Sequence, residues 1–495
     1  MTDLDRRSFL KTGAAVAGGA AIAGPFQGFL AGGALASHGP ATPGLVPTPD
    51  LADTTAPFDV FLALPPGFQY RSFQASSITN PITISDGSKL PGRHDGMGAF
   101  DGPGSDVLLV RNHEENFAGP AFGASGPVYD EMAQGGTSTV RVTLQGQVQE
   151  SWASISGTQM NCSGGIMPWG SWVTCEETVN GPDVADDFNR GSLPPDTFIE
   201  NTKLRQPHGF IFEVPADGTA TGKPIRDAGR FAHEAVAFDA SGGVLYLTED
   251  NFGFPSGFYK YDPPNDAAKL RRINDGGKLY MAKVVGQPLA ELARSHPAGT
   301  TFAIEWVQID QPWFYHGRRK APFMTNDEAI NFVANQGLAQ GAAKFSRLEG
   351  AVYDAGHIFF SSTQGGGGNP ALGSPDGDGG YGNGWGQVWS YDPRTSTLEL
   401  LYESPSRDVL DFPDNVTTSP SGTLILCEDH DEGNFLRGLR SDGTLVDIAH
   451  NQSSRPGDEF AGATFSPDGS TLYVNMQSST GRSFAIWGDW AGIGV

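Results

Sequence analysis

Side chains able to bind cations recur at matching places along this 495-residue chain. Asp95, Glu234, Glu349 and Asp414 each precede a short apolar run, close to a small residue, and Cys162 stands in the same place in a further copy. A second acidic set follows a later apolar run: Glu114 and Glu115, Glu176 and Glu177, Glu249 and Asp250, Glu428 and Asp429. Gathered into one low-dielectric space, so many carboxylates cannot all stay ionised without cations between them. Hard cations such as Ca²⁺ take about six to eight oxygen ligands, which a ring of carboxylates supplies. A thiolate where other copies carry a carboxylate suits a softer transition metal, and this singles out Cys162. Arg347 lies two residues before Glu349, so in a strand both point to one face. Its planar guanidinium matches phosphate oxygens, and equally a neighbouring carboxylate. Each acid taken alone could as well cap a turn. Their recurrence is what speaks for a shared site.

Other chemistries have less to rest on. His113, His208, His233 and His430 are scattered and lack the spacing of a zinc site. There is no Gly-x-Ser-x-Gly elbow, phosphate-binding P-loop or dinucleotide fingerprint. Three cysteines in so long a chain argue against a disulfide scaffold. Cys175 and Cys427 each close an apolar run before a Glu and read as small buried packing groups.

These residues need a frame that carries distant segments to one place. From about Phe58 the chain alternates short β-branched and aromatic runs with Gly, Pro, Asp and Asn, the mark of many short strands. Six related hairpin units follow: His94–Glu115, Asn161–Glu177, His233–Asn251, Leu348–Gln364, Pro413–His430 and Ala461–Gln477. Repetition of this kind predicts an all-β fold, a single β-propeller whose innermost strands face one channel. Six copies predict six blades, with five and seven the neighbouring counts. Insertions interrupt them. Residues 178–207 read as polar loop, residues 326–343 have helical composition, and residues 365–386 are a Gly-rich loop. Asp376 and Asp378 make that loop a calcium-binding candidate or a plain connector.

The formal charge of -24 disfavours nucleic acid and anionic membranes as partners. It also repels anionic substrates, unless bound cations reverse the local sign. At the N-terminus Arg6 and Arg7 precede an Ala/Gly-rich stretch and the small-x-small site Ala34-Leu35-Ala36. This is the pattern of a twin-arginine export signal, too short and Gly-rich to remain as a membrane span. The expected organisation is a signal at 1–36, a Pro/Ala/Thr-rich leader at 37–57 and the propeller at 58–495. The mature chain is expected to be a periplasmic or secreted monomer, carried by the twin-arginine machinery without stable membrane insertion.

The block Asn161-Cys162-Ser163-Gly164-Gly165 with Pro168-Trp169-Gly170-Ser171-Trp172-Val173-Thr174-Cys175-Glu176-Glu177 closely resembles the hallmark of PhoX-type bacterial alkaline phosphatases. The resemblance continues through Asn112-His113-Glu114, His208-Gly209-Phe210, Arg230 to Glu234, Arg347 to Gly350 and Asp411 to Asn415. It implies hydrolysis of small phosphomonoesters at a centre of ferric iron (Fe³⁺) and calcium (Ca²⁺) joined by an oxo group. It further implies iron association for Cys162, Glu234 and Glu349, calcium ligation by Glu176, Asp414, Glu428 and Asp429, and phosphate contact by Arg347 and Asn112. A metal-bound oxo or hydroxide is then the expected nucleophile. The residues alone leave two rivals open: a calcium-dependent propeller hydrolase of lactones or other esters, and a non-catalytic binding propeller stabilised by calcium.

Overall fold

The computed structural model describes residues 44–52, 59–188, 198–315, 324–367, 381–430 and 433–495. The export signal and the Asp376/Asp378 loop lie outside them, as does most of the leader. The described chain is mostly β, with few and short helices. Each of the six expected hairpins forms. Their first strands are His94–Asp101, Asn161–Met167, His233–Asp239, Leu348–Asp354, Pro413–Thr418 and Glu459–Phe465. All six share one irregularity. The register to the following strand shifts two or three residues in, between His94 and Met97, for example, and between Leu348 and Ala351. Such a bulge bends the strand and re-aims the side chains within it.

The first strands follow one another around a ring. Asn112 Nδ2 in the first hairpin donates to Cys162 O of the next at 2.8 Å. Thr248 Oγ1 donates to Glu349 O, and Ser361 Oγ to Asp414 O, each at 2.5 Å. Gly462 N donates to Asn415 Oδ1 at 2.7 Å, and Asn475 Nδ2 donates to Asp95 O, which closes the circle. The inner strands pack so tightly that glycine is required between them. A Cβ on Gly350 would lie 2.4 Å from Val416 N, and one on Gly96 2.6 Å from Cys162 O.

Outward from the ring the hairpins extend into sheets. One four-stranded sheet runs from His94–Asp101 to Val148–Thr158. The last hairpin is extended by Gly481–Trp487 and then by Gln69–Ser76, so this sheet combines an early strand with the last strands of the described chain. The third and fourth units merge into a nine-stranded curled sheet where Thr301–Gln308 pairs with Thr397–Glu403. The arrangement is propeller-like, with apolar clusters between adjacent sheets. One such cluster joins Leu436, Ile448, Phe460, Leu472 and Phe484. The helical segment expected at 326–343 contains helices Asn326–Ile330 and Phe332–Leu338; the first opens with a capping box between Thr325 and Glu328. No helix among the described residues is long and apolar enough to cross a membrane.

Candidate metal centre

Successive residues of a strand face opposite ways, and this divides the acidic doublets that end the second strands. In three of the four doublets the first acid braces the fold. Glu176 accepts backbone N–H bonds from Gln159, Gly209 and Phe210 at 2.8–3.1 Å, and its Oε1 lies 2.6 Å from His208 Nδ1. Glu249 accepts from Gly257 N and Tyr259 Oη, both at 2.8 Å. Glu428 accepts from the N–H groups of Asp411 and Phe435 and pairs with Arg437 at 2.5 Å. The second acid, Glu177, Asp250 or Asp429, turns to the axis, as Glu114 does in the first hairpin.

The structure places three expected site residues away from the axial cavity. Glu176 and Glu428 do not line the axial cavity, because their carboxylates are committed to backbone N–H groups, a histidine and an arginine. Asn112 is fully buried: its Nδ2 donates to Cys162 O and Ser163 O, and its Oδ1 accepts from Trp172 Nε1 at 3.0 Å. It braces adjacent inner strands and offers nothing to the cavity.

The structure does bring together Cys162, Glu234, Glu349, Asp414, Asp429 and Arg347. They line a cavity of about 530 Å³ with Asp95, Glu114, Glu115, Glu177, Asp250, Asp458, Glu459 and two further arginines, Arg93 and Arg455. Within it, three groups of donor atoms each lie within 4.8 Å of one another: Cys162 with Glu177 and Glu234, Glu234 with Glu349 and Asp414, and Asp414 with Asp429 and Glu459. Glu234 and Asp414 are shared, so the groups form one continuous chain. Of its members, Glu177 was expected in the acidic ring without an assigned metal, and Glu459 was not singled out in the sequence.

The electrostatics of this chain call for cations. Burial, and then the surrounding carboxylates, push Asp95, Glu177, Glu234, Glu349 and Glu459 well above the usual carboxylate range. Asp414 is raised to about 7 by burial and then by Asp429. Burial followed by Glu234 likewise pushes the Cys162 thiol up. Glu234 is 3% exposed and, among the described residues, its Oε2 has no hydrogen-bond partner; Asp95 Oδ1 is buried and equally unpartnered there. A buried oxygen left without a donor is costly, and a multivalent cation would satisfy it. The donor types fit as well, with one thiolate-bearing group followed by two of oxygen alone.

Arg347 is one of three arginines among these acids. Its Nε and Nη2 donate to both oxygens of Asp250 at 2.9–3.1 Å, and Nη2 lies 3.2 Å from Glu349 Oε1. Nη1 remains without a hydrogen bond to the described residues. Burial opposes the charge, but Asp250 and Glu349 outweigh it and hold the guanidinium protonated.

A separate titration lies beneath the ring. His208 is fully buried, with Glu176 at 2.6 Å and Asp130 Oδ2 at 3.4 Å. Burial pulls its pKa down, but Glu176 and the bond to Asp130 more than reverse this and push it up to about 9 from the usual 6.5. A folded-state pKa above the unfolded one gives stability that is complete below about pH 6.5 and lost as pH rises through about 9. Thermal melts of the metal-loaded protein are expected to fall across that window. His208→Gln should start lower and show a flatter profile; an unchanged slope would place the titration elsewhere.

Comparisons with known proteins place the chain in a family. The alkaline phosphatase PhoX family matches residues 51–480, and a twin-arginine translocation signal matches residues 3–23. No curated protein matches. Among solved structures, Pseudomonas fluorescens PhoX in complex with vanadate, a transition state analogue, superposes with a TM-score of 0.61 at 18% identity. The match covers 91% of this chain and 99% of that one, and it supports the propeller-like fold. A virginiamycin B lyase from Staphylococcus aureus (10% identity, 85% of this chain and 99% of that one) and a gluconolactonase from Xanthomonas campestris (11%, 90% and 99%) reach TM-scores of only 0.37. The chain is exported by the twin-arginine pathway and belongs to the alkaline phosphatase PhoX family of phosphomonoesterases.

Proposed function

We propose that the axial cavity is the catalytic centre of this phosphomonoesterase and that the chain of donor groups holds Fe³⁺ and Ca²⁺. The observation that carries this is the chain itself: seven ligand-capable side chains, drawn from five of the six hairpin units, whose donor atoms fall into three overlapping groups. Cys162, Glu177 and Glu234 offer the mixed thiolate and carboxylate set suited to iron. Glu234, Glu349 and Asp414, then Asp414, Asp429 and Glu459, offer oxygen alone, as calcium prefers. When bound, such cations supply Lewis-acid stabilisation of phosphate oxygens and reverse the sign of an otherwise anion-repelling cavity.

The protein's own part is positioning. Asp250 grips one edge of the Arg347 guanidinium and leaves Nη1 for an incoming phosphate oxygen. A donor fixed before the reaction stabilises the charge that spreads over the equatorial oxygens at no cost of reorganisation. Vanadate bound to Pseudomonas fluorescens PhoX is in keeping with such chemistry. The ring of six inner strands is read as a six-bladed propeller, with residues 58–495 as its single catalytic domain.

Metal analysis of the purified protein, joined to hydrolysis of an aryl phosphate before and after chelation, tests this reading. Activity should fall to background on chelation and return with added Ca²⁺, and phosphate-free esters and lactones should not turn over. Hydrolysis undiminished by complete metal removal would contradict it.

A further inference from the structure

We infer that Arg93 is a second guanidinium contacting the substrate phosphate, opposite Arg347; this rests on the role proposed above for Arg347. The two arginines head the same four-residue pattern, Arg93-His94-Asp95-Gly96 and Arg347-Leu348-Glu349-Gly350. Each stands immediately before an inner strand, and the register shifts at the same point of both. Each adopts left-handed backbone, with φ of 43° and 38°. For a bulky residue that conformation is sparsely populated and persists only where the surroundings enforce it. Met160 repeats it before the second inner strand, with φ of 46°, and it too lines the cavity. Phe412 repeats it before the fifth inner strand, also with φ of 46°, and does not line the cavity; the twist thus belongs to the repeat, and at Arg93, Met160 and Arg347 the side chain faces the axis.

Position in the ring sets the direction of approach. Arg93 precedes the first inner strand and Arg347 the fourth of six, so they enter the channel from opposite sides. Each is held in part by an acid. Arg93 donates from Nε to Glu114 O at 2.7 Å and pairs through Nη2 with the Glu114 carboxylate, much as Arg347 grips Asp250. Side-chain exposures are 17% and 16%, so both reach the cavity to the same degree. A phosphoryl group in transfer spreads charge over three equatorial oxygens, more than one fork can serve. Two opposed forks would meet it from both sides, with the donor groups for cations between them.

The competing role is structural, in which Arg93 only braces Glu114. Arg93→Gln, Arg93→Lys, Glu114→Gln and Arg347→Gln would be compared with the unaltered protein, all metal-loaded and with metal content measured. The readouts are kcat and KM on 4-nitrophenyl phosphate and the inhibition constant of inorganic phosphate. Arg93→Gln is expected to weaken phosphate inhibition and lower kcat/KM by about 10- to 100-fold, the scale of one charge-assisted hydrogen bond. Added guanidinium ion should restore part of the activity, and Arg93→Lys should fall between. Glu114→Gln, which keeps the guanidinium, should shift phosphate inhibition less than Arg93→Gln does. An unchanged phosphate constant in Arg93→Gln, beside a raised one in Arg347→Gln, overturns the inference alone. Unchanged constants in both overturn the reading of Arg347 as well. Should Arg93→Gln fail to fold or load metal, an unaltered constant in Arg93→Lys overturns the inference.

Discussion

Replacing Glu234 by Gln is expected to move stability in opposite directions with and without metal, and to lower phosphatase activity at least about 100-fold. Glu234 serves two of the three donor groups, so its loss weakens both. Metal content should fall, and with it the stabilisation that bound cations give the folded state. The metal-free protein should respond the other way. There the carboxyl of Glu234 is forced above its ordinary range by burial and by Glu349, which means folding holds it against its preference to ionise. A neutral amide removes that conflict, so the stripped variant should be the more stable of the two. The melting temperature of the variant should lie below the unaltered protein when both are loaded and above it when both are stripped. Paired melts with metal analysis check this; a loss of stability in both states would mean that Glu234 is a packing residue.

Arg347→Ala is expected to separate substrate handling from metal binding. The guanidinium is held by Asp250 and Glu349 and faces the cavity. Its removal takes a fixed donor from the place where phosphate charge develops, at a cost of about 100- to 1,000-fold in kcat/KM. It also leaves the donor groups more negative, so cations should bind no more weakly than before. Inhibition by inorganic phosphate should weaken in parallel with the lost activity. An Arg347→Ala protein that loses its metals would instead make this arginine part of the frame.

Much of the frame was legible because it repeats. Six hairpins, each with a small residue near its start and five of them with an acid or thiol beside it, announce one channel before any coordinates are seen. The face on which each acid points was less legible. Glu176 and Glu177 are adjacent, as are Glu428 and Asp429, and only strand alternation decides which of each pair sees the axis. Applied from the bulge onward, that period assigns Glu177 and Asp429 to the cavity and leaves the others to brace backbone. Asn112 was assigned to phosphate by the family resemblance, yet it belongs to the same structural series as Thr248 and Ser361, which also donate to the next inner strand.

Glu459 was hidden for a different reason. In the sixth hairpin the place held by Asp95, Cys162, Glu234, Glu349 and Asp414 elsewhere is Gly462. There φ is 61° and an added Cβ would come within 2.4 Å of Asp95 O, so no acid fits. Glu459 supplies the carboxylate from three residues upstream, out of step with the repeat. The export signal, in contrast, needs no tertiary context and was readable from residue order alone.

Anomalous diffraction from crystals of the protein as purified tests the central claim most directly. The account predicts an iron-edge peak bounded by Cys162, Glu177 and Glu234, and calcium-like peaks along the line from Glu349 through Asp414 to Glu459. A channel without metal peaks, or metals seated away from these side chains, would contradict it.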